Sequence, residues 1–152
     1  MRDPFIALLL LFAVGPVLAA EQPSREKILS TFASYETLNS DFISSVGAGV
    51  GRSGKSYAQL RKEVEAYSEG PFEEALSQAQ AWICATGDRV VLDALIHVVL
   101  ATLNSASEAP TTTLAEIASC RPAALKASVS ALPHAKRREL ASRAPELKQL
   151  AK

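Results

Sequence analysis

From residue 24 to about 104, apolar side chains recur every three or four positions, the spacing of one helix face. No stretch alternates convincingly in the manner of a strand. Ile28, Phe32, Tyr35, Phe42 and Val46 form a first stripe behind Pro23 and Ser24, a pair suited to opening a helix. Tyr57, Leu60, Val64 and Tyr67 form a second, which Gly70 is expected to end. Pro71 then opens a third helix, with Glu73 and Glu74 in its first turn, where the helix dipole favours acids. Phe72, Ala75, Leu76, Ala79, Trp82 and Ile83 share its inward face, and Gly87 stops it. Asp88 caps the next helix, over about 88–104, whose apolar residues lie on nearly every side. That helix is predicted to be the centre of the core.

Beyond it a polar loop leads to Thr113-Leu114-Ala115-Glu116, which reads as a capping box. Prolines follow at 110, 122, 133 and 145. Proline is tolerated in the first turn of a helix and not in its interior, so this third of the chain should be short helices bent back at each proline. The fold class is therefore all-α: a compact bundle of four to six helices around the central one.

Two further features bear on where the chain works. Residues 5–18 are almost wholly apolar, and Gly15 and Pro16 break the run near its end. Fourteen residues fall short of the roughly 20 that span a bilayer. Val17-Leu18-Ala19 and Leu18-Ala19-Ala20 place small residues where a signal peptidase reads. Residues 1–20 are thus expected to be a cleaved signal peptide, with an uncleaved anchor as the competing reading, and 21–152 a single helical domain. The chain holds two cysteines, Cys84 and Cys120. An even count in an exported protein favours a structural disulfide over two free thiols, and their separation is too wide for the usual redox pair. Alanine- and arginine-rich usage with a short leader points to a bacterial envelope, periplasmic or secreted.

Charge is balanced overall but not locally. Residues 63–120 carry a net charge of −8 and residues 121–152 a net +6. The basic end either folds over the acidic middle or presents a face to an anionic partner, led by Lys136, Arg137, Arg138 and Arg143. Nucleic acid is a poor candidate, since export removes the chain from it and no aromatic residue interleaves these bases.

Residues 49–56, Gly-Val-Gly-Arg-Ser-Gly-Lys-Ser, satisfy G-x-x-x-x-G-K-[ST] and so resemble the Walker A loop of P-loop nucleotidases over eight positions. In that family backbone amides wrap phosphates, the lysine reaches the outer phosphates and the hydroxyl binds magnesium. The resemblance would make Lys55 and Ser56 ligands of a nucleotide, with Asp93 cast as the acidic strand end. That loop must follow a buried parallel strand, whereas residues 24–46 have the period of a helix. The competing reading is a flexible loop at 47–55 between two helices, with Ser56 and Gln59 as the capping box of the second.

Other chemistry is sparse. Asp93 and His97 lie four apart on one helix face, where they read as a buried polar pair satisfying itself. A metal site needs a third ligand, and His134 is the only other histidine, so no metal is expected. Neighbouring glutamates at 73 and 74 point different ways on a helix. Trp82, Tyr57 and Tyr67 could line a small pocket. No catalytic residues and no cofactor are assigned. What remains is a non-catalytic binding protein of the inhibitor, immunity or adaptor kind, with another protein as partner. Arg52 and Lys55 on the loop, or Lys136, Arg137, Arg138 and Arg143, are the residues that partner would meet. A helical small-ligand carrier is the alternative, and a P-loop-like nucleotide binder the remote one.

Overall fold

The computed structural model describes residues 24–102 and 108–144. The leader at 1–20, Pro145 and the side chain of Arg143 lie outside the described residues. Among the described residues seven α-helices follow one another: α1 (Arg25–Ser45), α2 (Tyr57–Tyr67), α3 (Glu73–Thr86), α4 (Arg89–Ala101), α5 (Ala109–Cys120), α6 (Pro122–Ala131) and α7 (His134–Arg143). Among the described residues there is no strand, only an isolated antiparallel bridge between Val50 and Ser56. The fold is all-helical.

Local signals set most of the boundaries. Ser24 accepts from the Lys27 N–H at 3.1 Å and opens α1. Ser56 and Gln59 form the capping box of α2, the glutamine oxygen accepting from the Ser56 N–H at 3.0 Å. Gly87, at φ 72°, ends α3 in the left-handed conformation that an L side chain resists. Pro110 and Pro122 sit in the first turns of α5 and α6, and Pro133 immediately precedes α7. The proline-punctuated third of the chain is therefore short helices, as its spacing predicts.

Two boundaries differ from expectation. Gly70 and Pro71 do not separate two helices, because a π turn over Ser68–Phe72 carries α2 straight into α3. Proline lacks an N–H and its ring collides with the carbonyl four residues back; a wider turn relieves both while the rod continues. The turn also brings Phe72 into the core, its ring 3.7 Å from that of Tyr35. The second difference is at Thr113. The helix begins a turn earlier, and Thr113 lies inside α5 with its hydroxyl donating to the Ala109 carbonyl at 2.9 Å. A Ser/Thr-x-x-Glu pattern marks a helix start only when the backbone ahead of it is free to be non-helical, and here Pro110 has already fixed it.

α4 is the centre. It packs against α1, α3, α5, α6 and α7, and buries Val91, Leu92, Leu95, Ile96, Val98 and Val99. It is not enclosed all round: Arg89, Val90, Asp93, His97 and Ala101 form an exposed stripe at helical spacing. Cys84 of α3 is bonded to Cys120 at the end of α5, with Cα atoms 5.6 Å apart. The next residue, Arg121, donates from its guanidinium to the carbonyls of Cys84 and Ala85, both at 2.9 Å. These are carbonyls that the end of α3 would otherwise leave unpaired. No helix among the described residues is long and apolar enough to cross a membrane.

Candidate functional site

The residues singled out on the α1–α2 connection come together at one end of the bundle. The helical stripe of α1 buries Ile28, Phe32 and Tyr35 in the main core, but it leaves that core before its last turn. Phe42 is half-buried and Val46 is 60% exposed. With Ile43 at 39%, Val50 at 50% and Tyr57 at 38%, Val46 belongs to an apolar cluster over 43–57, and Val90 is the remaining large exposed hydrophobe among the described residues. Periodicity identifies which residues share a face; it does not say where that face runs past the core.

The connection is hydrogen-bonded within itself. Gly49 N–H donates to Ser45 at 2.8 Å, Gly51 N–H to Lys55 at 2.9 Å, Gly54 N–H to Gly51 at 3.0 Å and Tyr57 N–H to Gly49 at 2.9 Å. Asp41, in α1, reaches across and accepts from the Ser53 N–H at 3.2 Å and from the Ser53 hydroxyl. The Ser53 hydroxyl is the main cause that holds the Asp41 carboxyl below its usual range. Partial burial opposes it, and the Ser53 and Arg52 amides and the Ser44 hydroxyl add to it. A Cβ at Gly51 would come within 2.5 Å of Asp41 Oδ1 and of Leu60 Cδ1, so those side-chain ends would have to shift to admit one. Leu60 is fully buried yet stands apart from the main core cluster. Beside it the Phe42 and Tyr57 rings pack at 5.4 Å. The tip thus carries its own small core and its own hydrogen bonds. Asp41 was not among the residues singled out from sequence; its signal, an isolated acid one turn before the end of α1, has no local motif to mark it.

The cations expected to face a partner are unequally free. Arg52 lines a shallow open groove of about 560 Å³ with Glu36, Thr37, Ser40, Asp41 and Ser53, and makes no ion pair among the described residues. Lys55 lies on the same flank of α1 but is paired with Glu63 at 2.7 Å. In α7, Lys136 pairs with Glu139 at 2.8 Å. Arg137 turns toward α6, donating to the Ser130 carbonyl at 3.1 Å, with its Nε buried and without a partner among the described residues. Arg138 is exposed, and the Arg143 side chain lies outside the described residues. No ion pair among the described residues joins 121–144 to the acidic 63–120 segment, so charge attraction does not dock this end through direct contacts.

The remaining candidates disperse. Asp93 and His97 are exposed rather than buried, and His97 pairs through Nδ1 with Glu36 of α1 at 2.8 Å. Sequence proximity favours Asp93, but the α1–α4 packing brings Glu36 closer. Trp82, Tyr57 and Tyr67 each pack with a different partner. Trp82 donates to Asp88 at 3.2 Å, Tyr57 packs on Phe42, and Tyr67 stacks on Tyr35 at 6.2 Å. The Walker-like residues follow helix α1 rather than a strand, and the Ser56 side chain is engaged with Gln59. Among the described residues no three His, Cys, Asp or Glu side chains gather as a metal site.

No protein-family model, no curated protein and no solved structure matches this chain.

Proposed function

We propose that this chain is an exported, non-catalytic interaction protein of a bacterial envelope, adaptor-like in that it holds a partner rather than converting a substrate. In this reading residues 1–20 direct export and are removed, and the domain works in an oxidising compartment, periplasmic or extracellular. The apolar run at 5–18 and the paired cysteines support that placement. The contact surface is the α1–α2 tip.

One observation carries the reading: exposed apolar side chains sit on a segment that makes its own backbone hydrogen bonds. An ordinary inter-helix loop of Gly and Ser would be polar and loosely held. A surface ordered before it meets its partner loses little conformational entropy on binding, which favours affinity. Arg52, unpaired beside the tip, is the cation placed to add charge selectivity.

The test is association in the native compartment. The exported chain should co-fractionate with an envelope component, as a larger complex or with the membrane pellet, and V46S/V50S should return it to the free monomer with its helicity intact. A wild-type chain that stays wholly free, or a variant that associates as well as wild type, refutes the reading.

A further inference from the structure

Resting on the reading of the tip as the contact surface, we propose that its partner is a lipid bilayer surface with anionic headgroups, into which the tip inserts peripherally. Three features of the tip point there. Its end is apolar and lacks bulky polar side chains: Val46, Gly47, Ala48, Gly49 and Val50 follow one another, with Ile43 and Tyr57 beside them. From 42 to 62 the chain holds Arg52, Lys55, Arg61 and Lys62 and no acid, and the acid just before it, Asp41, is engaged by Ser53 while Glu36 beside Arg52 is paired with His97. The cations are set back from the end. Arg52 and Lys55 lie along the flank of α1 beside residues 33–41, which precede Ile43. An apolar end, a tyrosine at its margin and cations behind it match the layers of a bilayer surface: acyl chains, interface and phosphates.

Charge also bounds how selective the docking can be. Lys55 is neutralised by Glu63 and Arg61 by Glu65, at 2.7 and 2.8 Å. Arg52 and Lys62 have no ion pair among the described residues, so two cations are free to meet lipid phosphate. Each cation near an anionic membrane surface strengthens binding by about fivefold, giving about 25-fold for the two. A protein pocket would need acidic rims matched to these two positions; a fluid anionic surface needs no matching. The Val46, Gly49, Gly51, Gly54 and Tyr57 amides are already hydrogen-bonded to carbonyls of the same segment, so entering the interface strands none of those donors.

The experiment is co-sedimentation of the chain purified after export with vesicles of phosphatidylglycerol and phosphatidylcholine, and with vesicles of phosphatidylcholine alone. Wild type should pellet with the mixed vesicles and bind the neutral ones about 25-fold more weakly. R52Q/K62Q should remove that preference, and V46S/V50S should weaken binding to both by tenfold or more. V90S, which alters an exposed valine on α4 far along the chain from the tip, should bind as wild type. A wild-type chain that remains in the supernatant with the mixed vesicles overturns the proposal, and so does V46S/V50S binding unchanged. If vesicles are ignored while association in the envelope still depends on Val46 and Val50, a protein occupies the tip: the lipid assignment falls and the contact surface stands. If that association is also independent of the tip, both fall.

Discussion

At Asp88 one carboxylate caps α4 through the Val90 and Val91 amides, at 2.9 and 3.2 Å, and ties in the Trp82 indole and the Arg25 guanidinium. Burial pushes its pKa up, but the bonds from Trp82, Val91, Arg25 and Val90 together outweigh this and hold it below the usual value. A depressed folded-state value means stability that is present above the unfolded pKa and lost as pH falls through the folded one. Asp88→Ala should therefore cost about 1 kcal/mol or more at neutral pH, and its thermal midpoint should fall less than that of wild type below about pH 4. Equal acid sensitivity in the two proteins would show that Asp88 is not the linked group. Gly51 makes a second, independent case. Gly51→Ala must push Asp41 or Leu60 aside, so hydrogen exchange at the Gly51, Gly54 and Tyr57 amides should quicken while the α4 amides stay protected. Slow exchange at all of them would mean the tip tolerates a Cβ.

Among the elements, what the sequence made legible was what short-range chemistry dictates. Ser24, Ser56 with Gln59, Asp88, Gly87 and the prolines at 110, 122 and 133 act within a turn of themselves, and each stands where the residue types say. What required the third dimension was missed. Glu36 lies 61 residues from His97, and Asp41 meets Ser53 across a connection that looks loose on paper. The π turn at Ser68–Phe72 was hidden for another reason: Gly-Pro is as good a signal for a stop as for a widened turn, and only the burial of Phe72 against Tyr35 decides between them. The staple between α3 and α5 is the element-scale feature with the largest stability consequence. Replacing both cysteines by serine frees a 36-residue separation and should cost about 4 kcal/mol on the loop-entropy model, read from urea unfolding. A loss well under 1 kcal/mol would mean that the unfolded chain is already compact.

For the molecule as a whole, the eight-residue likeness to a nucleotide-binding loop is a lesson in context. The same letters, placed after a helix instead of a buried strand, build a hydrogen-bonded tip whose serine caps a helix and whose lysine meets a glutamate. Titration with ATP and magnesium should give no heat of binding at micromolar concentrations, and a saturable signal lost in Lys55→Ala would restore the nucleotide reading. Charge layout is the other property of the whole. Among the described residues no direct ion pair crosses between 63–120 and 121–144, so raising salt should change stability little.

Arg121 follows the bridged Cys120 directly and grips the same turn of α3 from which Cys84 projects. The covalent link and the guanidinium fork are therefore two fastenings on one hinge, and only one of them responds to reductant. When thiols replace the bridge, the fork still keeps α5 against α3, leaving the sulfurs as neighbours in the folded protein. Re-formation of the bond by exchange with an external disulfide, which takes up the two electrons as two thiols, should then need local motion only.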